Sequence, residues 1–192
     1  MSRIGILGGT FDPPHNGHLA IADAAMKQCD LNRLIFIPAK YPPHKLAAKV
    51  SSEMDRLNML RAALGDKSEY EISDIELKRD GLSYTVDTMR ELHEIYEADD
   101  LIFIIGSDNI QEMETWYKPD DIFKYGTVVS FNRPGYKPGG RFLSQIEMLE
   151  MDPVDISSSE IRDRYEHGSS IREMVPELVL QYIKEKSLYK ER

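Results

Sequence analysis

The stretch that decides the fold is GILGGTFDPPHNGHLAIA, residues 5–22. An apolar run ends there in Gly8 and Gly9, which let a ligand approach the backbone closely. The helix predicted to follow presents unpaired N–H groups and a positive dipole end, and both attract anions. His15 and His18 share one face of that helix if both lie in its first turn, where imidazole N–H groups can donate to phosphate oxygens. The stretch therefore predicts a phosphate site at a strand-to-helix junction.

This prediction depends on the whole string rather than on any one residue. Taken alone, the glycine pair is better explained as a turn, and each histidine as a surface side chain. Pro13 and Pro14 stiffen the approach to the helix, which favours a shaped loop. The string is neither GxGxxG nor GxxxxGK[ST], so a nicotinamide-dependent dehydrogenase and a P-loop enzyme are unsupported.

Composition narrows the class of protein. The chain has 192 residues, a size that suits one domain spanning residues 1–192. Cys29 is the only cysteine, no apolar run approaches the roughly 20 residues of a membrane helix, and the first residues do not resemble a signal peptide. We therefore expect a cytoplasmic protein with no membrane partner. The net charge of −9 argues against a general nucleic-acid binder, and an anionic substrate would need a locally positive site.

Apolar strands alternate with helical patterns along the chain. The predicted strands are 2–9, 33–39, 101–107 and 126–131, and the predicted helices are 15–29, 52–64, 84–96, 158–165 and 176–186. Residues 70–77 alternate in hydropathy and suggest a further strand, and Met54 begins the apolar stripe of the second helix. Continuous apolar strands between helices predict a parallel sheet covered on both faces. We expect a Rossmann-like, doubly wound α/β fold, as a single domain with a C-terminal helical segment.

A sheet of this kind binds ligands at the carboxyl ends of its strands, near a switch in strand order. GGTFDPPH, residues 8–15, follows the first predicted strand, and GSDN, residues 106–109, stands at the end of the third apolar run. We expect these two segments to border one crevice.

A second candidate site is DISSSEIRDR, residues 155–164. Ser157, Ser158 and Ser159 stand at a predicted helix start, where they can cap the helix and offer hydroxyls and amides to an anion. Arg162 should project from the same side, and its guanidinium can clamp phosphate through two parallel hydrogen bonds. Alone, the segment is better explained as a well-capped surface helix. Beside the first motif, phosphate binding is favoured.

The two motifs together resemble the signature of the nucleotidyltransferase superfamily that carries an HxGH motif. GGTFDPPHNGH contains that motif as residues 15–18, and ISSSEIR is similar to the superfamily's ISSTxIR, with Ser159 where threonine is common. Three segments between them, YPPHK, SYTVDT and GSDNIQEMETWYKPDDI, resemble bacterial nicotinate mononucleotide adenylyltransferases. The resemblance covers essentially the whole chain, from Ile4 to the last helix.

The resemblance implies adenylyl transfer from ATP to nicotinate mononucleotide, giving deamido-NAD and pyrophosphate, by direct attack of the mononucleotide phosphate on the α-phosphorus. His18 is expected at the α-phosphate with His15 beside it, and Arg162 at the leaving β- and γ-phosphates. The other expected ATP-binding residues are Gly8, Gly9, Thr10, Phe11, Gly106, Asp108, Ile156, Ser157, Ser158 and Ser159. Mg²⁺ is expected to accompany ATP without an assigned protein ligand. Asp12 could assist through water, or serve only in a cap or turn.

A further set of residues is expected to bind nicotinate mononucleotide: His44, Lys45, Ser83, Tyr84, Thr85, Trp116, Tyr117 and Arg133. The resemblance places Trp116 against the pyridine ring with Tyr117 nearby, although composition alone favours a core tryptophan. The helix start at residues 83–85 suits the nicotinate carboxylate, unless it is an ordinary cap. The three basic members could bind the substrate phosphate or be solvated.

Other functions stay open at this point. A phosphopantetheine adenylyltransferase shares both end motifs, but its members are shorter and do not resemble the segments around Trp116 and SYTVDT. A cytidylyltransferase fits ISSSEIR less well, and a tRNA synthetase domain is opposed by the small size, the acidic balance and the absence of a KMSKS-like loop. A non-catalytic nucleotide sensor is opposed only by the intact His15, His18 and Arg162. A homodimer is an expectation from analogy with related enzymes alone.

Overall fold

A parallel β-sheet runs through the molecule and carries helices on both faces. The computed structural model describes residues 2–40, 50–131, 137–152 and 154–190. Within them the strands are β1 (Arg3–Gly9), β2 (Arg33–Pro38), β3 (Tyr70–Ile72), β4 (Asp100–Gly106), β5 (Thr127–Phe131) and β6 (Glu147–Leu149). The α-helices are α1 (Asn16–Gln28), α2 (Glu53–Leu64), α3 (Ile75–Lys78), α4 (Thr85–Ile95), α5 (Ser107–Glu112), α6 (Pro119–Ile122), α7 (Ser158–Glu166) and α8 (Glu177–Glu185). Within these ranges, none of the helices combines the length and the apolar character that a membrane-spanning segment requires.

Most predicted elements are confirmed, with ends that differ by a single residue. The prediction of a strand over residues 70–77 is wrong after Ile72, because β3 ends there and α3 begins at Ile75. Ile72 packs on the sheet face that α1 covers, whereas Ile75 packs on the opposite face, so the chain leaves the sheet edge between them. The short elements α5, α6 and β6 were not predicted, because three to six residues are too few to show a period.

The order of the strands creates a switch in chain direction at the centre of the sheet. Neighbouring strands follow the order β3-β2-β1-β4-β5-β6, and each pair is parallel. Ile6 of β1 lies opposite Ile35 of β2 on one side and Phe103 of β4 on the other. The chain proceeds from β1 toward one edge and from β4 toward the other, which leaves a crevice beyond the carboxyl ends of these two strands. The predicted Rossmann-like fold is confirmed.

Side chains of each strand alternate between two apolar layers. In β1, Ile4 and Ile6 join the layer that includes α4, whereas Leu7 joins the layer that includes α1 and α2. In β4, Phe103 and Ile104 divide in the same way. Because both faces of the sheet are buried, these strands read as continuous apolar runs rather than as alternating ones.

A third apolar cluster joins the C-terminal helices to α2. Its buried members include Met59 of α2, Ile161 of α7 and Val179 of α8. The predicted C-terminal helical segment therefore packs on the main body. The backbone N–H of Asn16, the first residue of α1, donates to the carbonyl of Met174 at 2.9 Å. These contacts bring α7 beside the amino terminus of α1.

The start of β5 offers a test of the packing. A Cβ atom added at Gly126 would lie 2.6 Å from the backbone carbonyl oxygen of Leu101 in β4, which cannot move without disturbing the sheet. We expect Gly126→Ala to lower the free energy of unfolding by about 1–3 kcal/mol in urea denaturation. Gly139→Ala is the control, because a Cβ there meets no atom within 4 Å. Equal stability of the two variants would contradict the packing described here.

Candidate active site

A cavity of about 630 Å³ lies at the switch point, beyond the carboxyl ends of β1 and β4. Its walls include most of the residues predicted to bind substrate. These are Gly8, Gly9, Thr10, His15, His18, Ser83, Tyr84, Thr85, Gly106, Asp108, Trp116, Tyr117, Ile156, Ser157, Ser158 and Ser159. The expectation that GGTFDPPH and GSDN border one crevice is confirmed. His44, Lys45 and Arg133 lie outside the described residues.

The two histidines form a stacked pair at the start of α1. His15 is the residue before the helix, with an extended backbone, and His18 lies in the first turn. Their ring centroids are 3.7 Å apart with an angle of 28° between the planes. The backbone N–H of His15 donates to Nδ1 of His18 at 3.2 Å. Because Nδ1 accepts this bond, a neutral His18 carries its proton on Nε2, which makes Nε2 the nitrogen that donates.

Gly17 makes the stacked pair sterically feasible. A Cβ at this position would lie 3.0 Å from Nδ1 and 3.1 Å from Cε1 of the His15 ring. An alanine would therefore crowd the ring. The HxGH spacing thus reflects two rings packed over a helix turn that has no side chain between them.

The glycine pair at the end of β1 has two separate roles. A Cβ at Gly8 would meet no protein atom within 4 Å, so the absence of a side chain leaves that side of the cavity open. A Cβ at Gly9 would lie 2.9 Å from the ring of Phe11. Gly9 therefore gives room to a protein side chain, whereas Gly8 leaves room for a ligand.

Phe11 lies in the core rather than along the cavity. Its side chain is 1% exposed, and its ring meets that of His18 edge-on at 5.0 Å and that of Phe36 at 5.9 Å. Phe11, which was expected among the ATP-binding residues, is therefore not on the cavity wall. The Phe11 ring packs against the ring of His18. Thr10, the residue before Phe11, lines the cavity.

The two sequence motifs meet in space. Arg162 Nη1 donates to the backbone carbonyl of Asp12 at 2.7 Å, across 150 residues of sequence. Ser158 Oγ donates to the carbonyl of Pro13 at 3.0 Å. Arg162 Nη2 also donates to Oγ of Ser159 at 3.3 Å, so the guanidinium links the start of α7 to the histidine loop. The serines of α7 line the cavity, and Arg162 stands behind that wall.

Ser157 shows that capping and cavity lining are compatible. It is the residue before α7, and its Oγ accepts from the backbone N–H of Glu160 at 3.2 Å. The cap that the sequence offered as an alternative is thus present. The same residue also lines the cavity.

Asp12 is an acceptor within the protein rather than a cavity residue. It is 2% exposed, and its two carboxylate oxygens accept from the Tyr189 hydroxyl at 2.6 Å and from the Ser51 backbone N–H at 3.1 Å. This role is neither the cap nor the turn that the sequence offered as an alternative to assisting a metal through water. A buried carboxylate needs such partners to offset the loss of hydration.

Arg56 is a site component that the sequence analysis missed. It is 1% exposed, and Nη1 donates to the carbonyl of Thr10 at 2.9 Å while Nε donates to that of Ser51 at 3.3 Å. Burial lowers the pKa of the Arg56 guanidinium, and the nearby Asp12 opposes that change. Met54, predicted on the apolar stripe of α2, is instead 61% exposed. The sequence analysis missed Arg56 because helical periodicity alone assigns a charged residue beside the apolar stripe of α2 to solvent.

The far end of the cavity is aromatic and carries one buried acid. The rings of Tyr84 and Tyr117 lie 4.7 Å apart, and Trp116 packs partly against the apolar layer of α4. Glu76 of α3 is 8% exposed, lines the cavity and accepts from the Thr88 hydroxyl at 2.7 Å. Burial raises the pKa of Glu76, and hydrogen bonds from hydroxyl side chains oppose the rise. The sequence analysis missed Glu76 because it assigned this segment to a strand.

Asp108 folds back over the end of β4. A Cβ at Gly106 would lie 2.4 Å from Oδ1 of Asp108, so a larger residue there would displace that carboxylate. Both residues line the cavity, as predicted for GSDN. Among the described residues, no group of three or more His, Cys, Asp or Glu side chains could hold a metal ion.

Comparisons with known proteins agree with this geometry. A family model described as cytidylyltransferase-like matches residues 6–164. A probable nicotinate-nucleotide adenylyltransferase from Desulfitobacterium hafniense (strain Y51) is 40% identical over 198 aligned positions, covering 98% of this chain and 96% of the relative. One from Shouchella clausii (strain KSM-K16) is 42% identical over 189 positions, covering 98% and 97%.

Solved structures share the fold at lower identity. Plasmodium falciparum nicotinic acid mononucleotide adenylyltransferase complexed with NaAD superposes with a TM-score of 0.85 at 20% identity, covering 98% of each chain. The same enzyme complexed with APC gives a TM-score of 0.83 at 19% identity, again covering 98% of each chain. Given the match over residues 6–164 and the identity of about 40% to relatives of nearly equal length, this chain belongs to the cytidylyltransferase-like family and, within it, to the nicotinate-nucleotide adenylyltransferases.

Proposed function

We propose that the chain transfers the adenylyl group of ATP to nicotinate mononucleotide, giving deamido-NAD and pyrophosphate in NAD biosynthesis. The observation that carries this proposal is a single cavity that joins the histidine loop to an aromatic end. The histidine loop suits a triphosphate, and the aromatic end of the cavity suits a pyridine ring. The names of the full-length relatives and the NaAD complex of the Plasmodium enzyme support the same substrate pair.

The reaction needs positioning and charge stabilisation rather than a nucleophilic side chain. The mononucleotide phosphate attacks the α-phosphorus of ATP in line, a bond to the α-phosphorus forms, and pyrophosphate leaves with the electrons of the broken bond. Phosphoryl-type transfers of this kind depend on holding both anions in line and stabilising charge on the phosphate oxygens. His18 donates from Nε2 to an α-phosphate oxygen, and the stacked His15 acts beside it on the ATP phosphates.

The start of α7 is assigned to the leaving group. Hydroxyls and amides at Ser157, Ser158 and Ser159 line the cavity where β- and γ-phosphates would lie, at the positive end of a helix of nine residues. Arg162 adds positive charge behind them. A guanidinium has five N–H donors, and the two hydrogen bonds of Arg162 to protein leave others for phosphate.

The aromatic end is assigned to nicotinate. Trp116 stacks on the pyridine ring with Tyr117 beside it, and the backbone N–H groups at the start of α4, near Tyr84 and Thr85, donate to the nicotinate carboxylate. A neutral nicotinamide would gain less from that helix end. Asp108 at the end of β4 accepts from a ribose hydroxyl of the adenosine.

Mg²⁺ is proposed to enter with ATP. Magnesium prefers oxygen ligands and is usually held by one or two carboxylates together with substrate phosphates. Glu112 is a carboxylate on the cavity wall that could supply such an oxygen, and the triphosphate would supply others. When bound, the ion supplies positive charge against the phosphate oxygens.

A cytoplasmic location and a homodimer are further proposals. The location follows from the soluble substrates and from Cys29, a free and buried thiol. The dimer rests on analogy with related enzymes, and its measurement is the molar mass in solution by light scattering.

A substrate panel tests the function. The protein is mixed with ATP and Mg²⁺ and with nicotinate mononucleotide, nicotinamide mononucleotide or phosphopantetheine, and pyrophosphate release is measured. We expect strong turnover only with the first, because only it offers both a pyridine ring and a carboxylate. Equal turnover with the amide would contradict the role of the α4 start. ATP binding without pyrophosphate from any acceptor would indicate a nucleotide sensor instead.

His18 is tested by His18→Ala. We expect kcat to fall at least about 100-fold, because one transition-state donor is lost, while the protein remains folded at the assay temperature. His167→Ala is the control, since His167 is an exposed residue after α7. A kcat near normal in His18→Ala would show that its role is misassigned.

Trp116 is tested by comparing alanine with phenylalanine. Stacking of an aromatic side chain on a base contributes about 1–3 kcal/mol, so we expect Trp116→Ala to raise the KM for nicotinate mononucleotide about tenfold with little change for ATP. Trp116→Phe keeps a stacking ring. Within the described residues the Trp116 Nε1 has no hydrogen-bond partner, so phenylalanine loses no such bond. A larger effect on ATP than on the mononucleotide would return Trp116 to a core role.

A further inference from the structure

A residue after α8, Tyr189, contacts the loop that precedes the histidines. Tyr189 lies 177 residues from Asp12, and its hydroxyl donates to Asp12 Oδ1 at 2.6 Å. Burial and the Asp12 charge raise the pKa of the Tyr189 phenol, so the hydroxyl remains a donor. This bond satisfies one oxygen of a carboxylate that is almost wholly buried.

The backbone after α8 is bent sharply to bring Tyr189 to this place. Ser187 has a φ of 50°, and the backbone N–H of Leu188 donates to the carbonyl of Ile183 at 3.0 Å, a Schellman end with serine where glycine is usual. Tyr189 itself has a φ of 60°. Left-handed backbone at non-glycine residues is unfavourable, so surrounding contacts must hold this segment in place.

The Asp12 peptide is also the point at which Arg162 reaches the histidine loop. The main-chain carbonyl of Asp12 accepts from Arg162, while its side chain accepts from Tyr189 and Ser51. A rotation of this residue would therefore change the position of the guanidinium. It would also change the path of the chain toward His15.

We infer that Tyr189 is a positioning residue for adenylyl transfer, acting through Asp12 to set the histidine loop and Arg162 relative to each other. The inference rests on the proposed function and extends it to a residue outside the cavity. Tyr189 is not among the residues that line the cavity, so it acts on geometry rather than on substrate.

A matched pair of tyrosine variants tests the inference. Tyr182 lies on α8, and its hydroxyl donates to Asp55 at 2.9 Å, so Tyr182→Phe also removes a tyrosine-to-carboxylate bond, but one whose acceptor is not Asp12. We expect both Tyr189→Phe and Tyr182→Phe to lower the thermal unfolding midpoint slightly. Only Tyr189→Phe should lower kcat, by about 10- to 100-fold, because small misplacements of reacting groups are costly.

The division between kcat and KM separates positioning from general loosening. We expect KM for ATP and for nicotinate mononucleotide to change less than about threefold in Tyr189→Phe, since the cavity walls remain and only the reacting geometry changes. Rates are measured well below the unfolding midpoint of each variant. A kcat equal to that of Tyr182→Phe, or a loss seen only as a rise in KM, would overturn the inference.

A double-mutant cycle tests whether Tyr189 acts through Asp12. Asp12→Ala removes the acceptor, so adding Tyr189→Phe to it should cost less than about twofold in kcat if the two act as a unit. A full additional loss would contradict that path. If Asp12→Ala does not fold, the comparison of kcat between Tyr189→Phe and Tyr182→Phe still tests whether Tyr189 is a positioning residue. An inactive unsubstituted chain would contradict the proposed function itself, whereas an active chain with an equally active Tyr189→Phe would contradict only the positioning role.

Discussion

The hydrogen bond from the Arg162 guanidinium to the Asp12 carbonyl is the contact on which the site depends. It joins the helix that begins with three serines to the loop that leads into the stacked histidines. Ser158 adds a second link to the same loop through the carbonyl of Pro13. Without these hydrogen bonds, the start of α7 would not be held beside the loop that leads into α1. With them, both face one cavity at the switch point of the sheet.

The loop is surrounded by charged groups that are removed from water. Asp12 and Arg56 are both almost wholly buried, and each is held by hydrogen bonds to backbone or side-chain partners. A buried charge costs free energy unless its polar atoms are satisfied, and such a network also fixes one arrangement of the chain. A loop that must hold two highly charged substrates in line gains from that rigidity.

The cavity combines two environments that the reaction needs. At the histidine end, Gly8, Gly9 and the residues at the amino termini of α1 and α7 form the wall, and helix amino termini favour negative charge. At the other end, the rings of Tyr84, Trp116 and Tyr117 provide flat apolar surface. The parallel sheet makes this combination possible, because the carboxyl ends of its strands all open on the same side. Overall acidity does not prevent anion binding when the local field at the switch point is positive.

Much of the fold follows from sequence, because long apolar strands and amphipathic helices carry their own periodicity. The short elements β6, α5 and α6 do not. The strand predicted over residues 70–77 ends at Ile72, and the chain leaves the sheet there, because Ile75 packs on the opposite face. In the site, the residue types and spacing around His15 and His18 indicated phosphate chemistry in advance. The sequence therefore determined the layer architecture, the place of the histidine loop on the cavity and the family to which the chain belongs.

Only the tertiary structure decided which side chains face substrate and which support them. Phe11 and Asp12 lie within the quoted motif yet point into the protein, while Arg56 and Tyr189 lie outside any motif yet hold that loop. Local pattern cannot distinguish these cases, because a buried polar group is acceptable only if distant parts of the chain bring its partners. Those partners are set by how the helices pack on the sheet, and packing is a property of the whole chain rather than of any segment.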